Sequence, residues 1–259
     1  MKTISSTNLL PKQLPSLKLI TTGATVGPLV DSLHNQCLLQ YGKAPIDIPN
    51  FITQTDNASY LIRTSWYIPP LLGMAYLVLG GILPRIFNTL LENMNGTQEQ
   101  LWKQQKSCTL RNKAIYAVTS TALIIKLSEI LETSTVFTSS ETNLCIMTAA
   151  AVAQWAVLDR SLASLLAAMV VSVGGPLSEL PFVAGGYWHY IPSAADYFPL
   201  RGVNLDWGFW KVLFGDDYGE LALSSITGPC YFAVTMDAIA LGRWFDSDVE
   251  EGVEEGKAS

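Results

Sequence analysis

The chain has 259 residues, of which 49% are hydrophobic and only 15% are charged, and its formal net charge is −6. Soluble domains average about 25% charged residues, so this composition argues against a soluble protein and predicts a polytopic membrane protein. The sequence contains no basic patch of the kind that binds nucleic acid, and its four cysteines and two histidines offer little material for a metal site.

Six apolar runs, each about long enough to cross a bilayer as a helix, are separated by polar segments. A spanning helix needs ~20 mostly apolar residues. The sequence therefore predicts an all-α fold, a bundle of six transmembrane helices at 17–39, 65–87, 114–131, 142–158, 162–182 and 222–245. The predicted domains are a polar amino-terminal segment, 1–16, a membrane domain, 17–245, and an acidic, disordered tail, 246–259.

The second predicted span, 65–87, is the clearest of the six. Trp66 lies where an aromatic belt belongs at the membrane surface. Pro69 and Pro70 fall in the first turn of the helix, where a missing N–H group costs least. The span also contains small residues that allow close contact with a neighbouring helix, namely Gly73, Gly80 and Gly81.

The fourth and fifth predicted spans form a hairpin whose junction has three polar residues, Asp159, Arg160 and Ser161. So short a junction forces the two helices to be antiparallel and holds its charges at a membrane surface. Asp159 or Ser161 can cap the free N–H groups of the helix that follows. Lysine and arginine are concentrated on the side that holds this junction and both termini, so the positive-inside rule predicts cytosolic termini.

Four carboxylates fall inside predicted spans, and each is a candidate functional group, because a charge at the bilayer centre costs at least ~2.5–3.5 kcal/mol. They are Asp31, Glu129, Glu179 and Asp237. Glu179 lies between Pro176 and Pro181, where we expect the helix to be broken. The functional interpretation of Glu179 is a polar anchor in a lipid or pigment pocket, and the alternative is a structural hydrogen-bond acceptor. Glu129 lies three residues after Lys126, so the two side chains share a helix face and can neutralise each other.

The segment 185–221 is rich in aromatic residues and acids. Aromatic residues beside apolar runs predict a cap that lies in the membrane interface. The alternative interpretation is an ordered loop that binds no ligand.

Three short motifs occur in order along the chain. The segment 65–73 reads Ser-Trp-Tyr-Ile-Pro-Pro-x-x-Gly, the junction 159–161 reads Asp-Arg-Ser, and the last span contains Pro-Cys-Tyr-Phe at 229–232 and Gly-Arg at 242–243. Together they resemble the insulin-induced gene (INSIG) family of six-helix membrane proteins of the endoplasmic reticulum. The Pro-x-x-Glu-x-Pro pattern at 176–181, with aromatic residues after it, is most similar to the INSIG-like members of plants and algae.

The resemblance implies a regulator rather than an enzyme. Animal members bind an oxysterol among their helices, retain a sterol-sensing escort protein in the endoplasmic reticulum, and present HMG-CoA reductase for degradation. For this chain it implies a bound sterol or related isoprenoid, and a sterol-sensing-domain-type membrane partner that contacts Asp159, Arg160 and Ser161. The candidate residues of the lipid pocket are Trp66, Pro69, Pro70, Gly73, Glu179, Tyr187 and Tyr190.

Two other functions are compatible with the sequence. Plant and algal relatives are often assigned to plastids, so the alternative is a structural or assembly subunit of a plastid membrane complex, with a pigment or lipid contact near Glu179. The second is a small-solute transporter, and the only features that support it are the acids within the predicted spans and the expected helix break. The sequence contains no nucleophile-elbow, P-loop, dinucleotide-binding or HExxH motif, so it predicts no catalytic or metal-binding residues.

Overall fold

A computed structural model describes residues 13–49, 60–95, 107–134, 139–204 and 208–258, apart from the side chains of 34–37, 92–95, 107 and 249–258. Within these ranges the chain is mostly helical, and six long helical segments make up most of it. Most of the predicted amino-terminal segment lies outside the described residues, and its last residues already belong to the first helix.

The first half of the described chain contains one long helix, three short strands and a composite helix. In order they are α1 (Gln13–Leu38), β1 (Leu39–Tyr41), β2 (Pro45–Pro49), β3 (Tyr60–Ser65), α2 (Ile68–Tyr76), a π-helical stretch (Leu77–Ile82) and α3 (Leu83–Asn95). The second half contains four long helices and several short elements. In order they are α4 (Ser107–Thr133), α5 (Ser140–Leu158), α6 (Leu162–Ala184), β4 (Trp188–Tyr190), α7 (Gly208–Phe214), a 3-10 turn (Tyr218–Glu220) and α8 (Thr227–Ala258).

Three of the described helices are long and apolar enough to cross a membrane: Ile68–Leu91, Cys108–Thr133 and Leu162–Ala184. Each presents many apolar side chains on its outer surface, such as Leu123, which is 67% exposed, and Val173, which is 64% exposed. A surface of this kind suits contact with lipid rather than with water. The other three long helices are α1, α5 and α8.

The last long helix, α8, lies at the centre of the bundle. It packs against α1, the π-helical stretch, α4, α5 and α6, and its residues from Cys230 to Leu241 are mostly buried. Of the two arms of the predicted hairpin, α6 packs chiefly against α8, whereas α5 packs to a similar extent against α4 and α8, and the two arms make little contact with each other. The sequence favours the hairpin as the organising element, but α8 has that place, because among the described helices it is the one buried on most of its faces.

The crossing of α8 with the π-helical stretch requires glycine. A Cβ atom on Gly80 would lie 2.2 Å from the carbonyl oxygen of Ala238, and a Cβ atom on Gly242 would lie 2.2 Å from the carbonyl oxygen of Gly80. The two backbones therefore touch, which is how small residues permit close helix packing in membranes. The expectation that glycines of the second span form a helix contact is confirmed for Gly80.

The short strands form two antiparallel ladders, which the predicted all-α fold did not include. In the first ladder β1 pairs with β4, with Leu39 opposite Tyr190 and Tyr41 opposite Trp188. These four side chains are buried, while the residues between them are exposed, as the two-residue period of a strand requires. The ladder joins the end of α1 to the segment after α6 and covers one end of the bundle. In the second ladder β2 pairs with β3.

The last helix continues beyond the predicted membrane domain. The sequence predicts a disordered acidic tail from residue 246, but α8 continues to Ala258. Asp246 forms an ion pair of 2.7 Å with Arg85, and Asp248 forms another with Lys18. Glutamate, lysine and alanine favour helix, and extending an existing helix is much easier than starting one, so a run of acids does not by itself end it.

Candidate functional site: a cavity with a buried glutamate

A cavity of about 110 Å³ lies beneath the β1–β4 ladder, between α1, α2, α4, α6 and α8. One water molecule needs ~10–15 Å³ on this measure, so the cavity is large enough for part of an organic ligand. Its wall combines aliphatic side chains with a few polar groups. The lining residues are Asp31, Leu39, Tyr41, Ile68, Leu71, Leu72, Ile125, Glu179, Trp188, Tyr190, Thr227, Cys230, Tyr231 and Val234.

Glu179 is the centre of the polar part of this wall. Its Oε2 atom accepts hydrogen bonds from the hydroxyl of Tyr190 at 2.7 Å and from the indole N–H of Trp188 at 3.2 Å. Its Oε1 atom accepts a hydrogen bond from the hydroxyl of Tyr231 at 3.0 Å. The side chain is only 7% exposed, and a buried carboxylate needs such donors because it has lost its water. Hydrogen bonds to a charged group contribute ~1.5–3 kcal/mol each.

The helix that carries Glu179 is continuous, so the expectation of a break between the two prolines is wrong. Pro176 and Pro181 both lie inside α6. Pro176 has no N–H group to donate to the carbonyl of Ser172, four residues earlier. This carbonyl faces α8, because a Cβ atom on Gly228 would lie 2.8 Å from the Ser172 oxygen. Packing against a neighbouring helix lets a membrane helix contain proline without breaking.

Gly175 makes room for one of the three donors. A Cβ atom at this position would lie 2.4 Å from Cδ1 of Tyr231. The ring of Tyr231 therefore lies directly on the backbone of α6, and its hydroxyl reaches Glu179 one turn further along the helix. A side chain larger than hydrogen at Gly175 would displace the ring.

An aromatic stack holds the ladder in place above the cavity. Trp188 stacks between Phe182, with ring centres 4.8 Å apart, and Tyr67, with ring centres 6.0 Å apart. The Tyr67 hydroxyl donates a hydrogen bond to the carbonyl of Tyr187 at 2.8 Å, and the Gly42 N–H group bonds to the same carbonyl. These contacts fix Trp188 where its indole N–H can reach Glu179.

A second carboxylate lines the cavity on the side of α1. The hydroxyl of Tyr41 donates a hydrogen bond of 3.4 Å to Oδ2 of Asp31. Burial, and then the nearby Asp31 carboxylate, raise the pKa of Tyr41 far above its usual value, so its phenol stays protonated. Within the described ranges, no group of three or more His, Cys, Asp or Glu side chains is placed to hold a metal ion.

Of the seven predicted pocket residues, Glu179 and Tyr190 line the cavity. Tyr187 lies beside it and supports the ladder through its carbonyl. Trp66 is 73% exposed, and Pro69 and Pro70 lie in the first turn of α2, as the sequence predicts. Gly73 packs against α1, where its Cβ atom would lie 3.0 Å from the carbonyl of Ile20. Of the seven predicted pocket residues, the structure therefore brings only Glu179 and Tyr190 together at the cavity.

Among the lining residues that sequence reasoning missed are four with a hydroxyl or an indole N–H group: Tyr41, Trp188, Thr227 and Tyr231. Two of them come from strands of three residues, which are too short to show an alternating pattern. Tyr231 lies inside the Pro-Cys-Tyr-Phe motif, so a signal was present, but nothing in one sequence indicates that it faces α6.

The other membrane acids have separate partners. Glu129 forms an ion pair with Lys126 three residues before it, which confirms the expected pair. Asp237 is completely buried and accepts a hydrogen bond of 3.2 Å from the hydroxyl of Tyr76. Asp31 accepts its hydrogen bond from a different tyrosine, Tyr41.

The junction between α5 and α6 forms a second polar cluster, at the opposite end of the bundle. Oδ2 of Asp159 pairs with Nη1 of Arg243 at 2.7 Å, and this carboxylate side chain is only 3% exposed. Oδ1 of Asp159 accepts a hydrogen bond from the N–H group of Ser161 at 3.2 Å. Ser161, and not Asp159, is the N-cap of α6, because its hydroxyl accepts a hydrogen bond from Ser164 N. Arg160 has a φ of +61° and is exposed.

A bundle of apolar helices around a cavity with a buried carboxylate defines a multi-helix membrane protein with a candidate ligand site. A sequence model of the insulin-induced protein (INSIG) family matches residues 14–226, so the chain belongs to the INSIG family. Members of this family are non-enzymatic regulators of sterol biology. The matched region ends immediately before α8.

Two solved structures share the fold. A crystal structure of MvINS, a mycobacterial Insig homologue from Mycobacterium vanbaalenii, has a TM-score of 0.56 and 16% sequence identity, over 90% of this chain and 94% of that chain. A crystal structure of a cross-linked MvINS trimer has a TM-score of 0.59 and 16% identity, over 92% of this chain and 96% of that chain. No curated protein sequence matches this chain.

Proposed function

We propose that this protein is a non-enzymatic membrane regulator that binds a sterol or a related isoprenoid lipid in the Glu179 cavity and controls a membrane partner. The observation that carries this proposal is the cavity itself, a mostly apolar space whose few polar groups centre on Glu179, inside a fold of the INSIG family. Ligand pockets are mostly apolar, with a few fixed polar groups that orient the ligand, and this cavity has that composition.

The proposal includes six transmembrane spans with both termini on the cytosolic side. Even the shortest long helix, α5, has 19 residues, or about 28 Å at 1.5 Å per residue, close to the thickness of a bilayer core. The start of α1 and the far end of α8 lie together, since Lys18 pairs with Asp248. The α5–α6 junction lies at the same end, since Asp159 pairs with Arg243. This arrangement supports the predicted alternation of spans.

We place the partner surface at the α5–α6 junction, as the resemblance to INSIG proteins implies, and the favoured partner is a membrane protein with a sterol-sensing domain. The side chains of this junction contribute in different ways. Arg160 is exposed and can contact a partner directly, while Asp159 is buried and positions the junction through Arg243. The favoured location is the endoplasmic reticulum, and the plastid membrane is the alternative.

Partner capture under changing sterol supply tests this function. The full chain with a carboxyl-terminal tag is expressed in its own cells, and the membrane proteins that purify with it are quantified with normal and with depleted sterol. We expect the amount of at least one captured partner to change with sterol supply. Capture that does not respond to sterol, or a plastid location with stable membership of one complex, would contradict the proposal.

A matched pair of variants connects this response to the cavity. Leu71 lines the cavity and is 38% exposed, so Leu71→Trp places a bulky ring at its edge with little overpacking. Val78 lies in the same helical segment, is 41% exposed and does not line the cavity, so Val78→Trp is the control. The sterol response is expected to be lost in the first variant and kept in the second.

A further inference from the structure

The strong hydrogen-bond donors of the cavity wall are already used within the wall. Tyr190 has one hydroxyl proton, which it donates to Glu179 at 2.7 Å. Tyr231 donates its proton to the other oxygen of Glu179, and the Trp188 indole N–H is donated to Glu179 as well. Tyr41 donates its proton to Asp31.

The hydroxyl of Thr227 is used in the same way. It lies 3.2 Å from the Tyr190 oxygen, and because the Tyr190 proton goes to Glu179, Thr227 is the donor in this contact. The remaining polar hydrogen on a lining side chain belongs to Cys230, whose thiol is a weak donor. Among the described lining residues there is no lysine, arginine or histidine. The wall therefore offers acceptors and negative charge to whatever enters.

Glu179 also has room for one more donor. A carboxylate has about four lone-pair sites for hydrogen bonds. Two donors bond to its Oε2 atom and one donor bonds to its Oε1 atom, which leaves one site on Oε1. A ligand group that brings its own proton fits this site, and a group with only lone pairs does not.

We propose that the lipid bound in this cavity presents a hydrogen-bond donor, a hydroxyl or an ammonium group, to Glu179, and that the cavity rejects carboxylate, phosphate, ether and ketone head groups. This inference rests on the proposed function, because it assigns the head group of the lipid that the cavity binds. An anionic head would face two carboxylates, and none of the described lining residues carries a positive charge. An ether or ketone oxygen would lose its water and find no strong donor in exchange.

Two sets of probes, each of which shares one hydrocarbon body, test this assignment. The probes are farnesol, farnesylamine, farnesyl methyl ether and farnesoic acid, together with cholesterol and its 3-methyl ether and 3-ketone. Binding to the full-length protein in nanodiscs is measured by native mass spectrometry. We expect the alcohol or the amine to bind at least about tenfold more tightly than the ether, ketone or acid with the same body, the size of one charge-assisted hydrogen bond.

The comparison of probes separates the possible ligands. Tight binding of farnesol identifies a neutral alcohol, and tight binding of farnesylamine alone identifies a cation. Equal binding of alcohol, ether and acid that is lost in Leu71→Trp would overturn the head-group assignment and leave lipid binding in the cavity intact. Equal binding that persists in Leu71→Trp, or no binding of any probe, would count against the proposed function and this inference together.

Two substitutions test whether Glu179 and Asp31 cause the preference for the lipid head group. Glu179→Gln replaces one acceptor oxygen with a donor, so the ratio of alcohol to ether affinity is expected to fall towards one. Asp31→Asn removes a charge on the opposite wall without altering the Glu179 hydrogen bonds, and it is expected to raise the affinity for farnesoic acid. The second variant keeps the test decisive if the first one fails to fold. Asp216→Asn, on an exposed loop, is the control that should change neither ratio.

Discussion

The ion pair between Asp159 and Arg243 is the contact at the α5–α6 junction whose loss we expect to cost most. Removing one member of a buried ion pair costs ~3–5 kcal/mol, because the other charge stays buried without its partner. The Asp159 side chain is 3% exposed, but Arg243 is 19% exposed, so water can partly solvate the remaining arginine. We therefore expect Asp159→Asn to lower the free energy of unfolding by about 3 kcal/mol, at the lower end of that range.

Asparagine is the right replacement because it isolates the charge. Its amide oxygen can still accept the hydrogen bond that Asp159 accepts from the N–H group of Ser161 at 3.2 Å. The side-chain volume hardly changes, so no cavity opens in the junction. The loss then measures the ionic contact with Arg243.

A double-mutant cycle in detergent micelles, with unfolding driven by SDS, measures this contact. The four proteins are the parent, Asp159→Asn, Arg243→Gln and the double variant, and we expect a coupling free energy of about 1.5–3 kcal/mol. The control cycle uses Arg201 and Glu220, which pair at 3.3 Å but are 57% and 76% exposed. Exposed pairs contribute ~0–1 kcal/mol. If the coupling at Asp159 is no larger than in the control cycle, the pair is not a buried structural contact and our reasoning about the junction fails.

Three further predictions concern the packing and the topology. Gly175→Ala is expected to destabilise the protein by about 1–3 kcal/mol in a thermal unfolding assay, because the new Cβ atom would lie 2.4 Å from the Tyr231 ring. The control Gly174→Ala should be neutral or stabilising in the same assay, because no atom lies within 4 Å of its new Cβ atom. Tyr231→Phe removes one donor from Glu179 and should cost ~1.5–3 kcal/mol, while Tyr116→Phe, at a position 66% exposed, should stay within about 0.5 kcal/mol. Single cysteines at Arg160 and at Gln40, without other exposed cysteines, should react with an impermeant label from opposite sides of sealed vesicles. Reaction from the same side would refute the six-span arrangement.

The helices could be predicted because long apolar runs have few other structures available to them. The runs at 65–87 and 162–182 correspond to helical segments Ile68–Asn95 and Leu162–Ala184, with boundaries that differ by a few residues except at the end of the first. The family could also be predicted, because its motifs are local in sequence. The Lys126–Glu129 pair is local as well, and it is confirmed.

The candidate site could be predicted only in part, because its residues meet through tertiary contacts. Glu179 was recognisable as a buried acid, but its donors come from β4 and α8, which are distant in sequence or too short to show a pattern. The expected break between Pro176 and Pro181 is absent, and a neighbouring helix packs against the freed carbonyl of Ser172. Nor could a single sequence show that α8 continues past residue 245, where ion pairs connect Asp246 to α3 and Asp248 to α1.

Both polar clusters depend on the same helix. Tyr231 and Arg243 are twelve positions apart on α8, or about 18 Å along its axis, and each contacts a carboxylate from a different part of the α5–α6 hairpin. A substitution at Asp159 therefore acts on the packing of α8 as well as on the junction surface. Arg160 is different, because its side chain is exposed and its contact with the turn is a hydrogen bond from its Nε atom to the carbonyl of Ala156. A loss of partner capture in Arg160→Ala, with unfolding unchanged, would therefore identify a direct contact, whereas the same loss in Asp159→Asn would combine contact with stability.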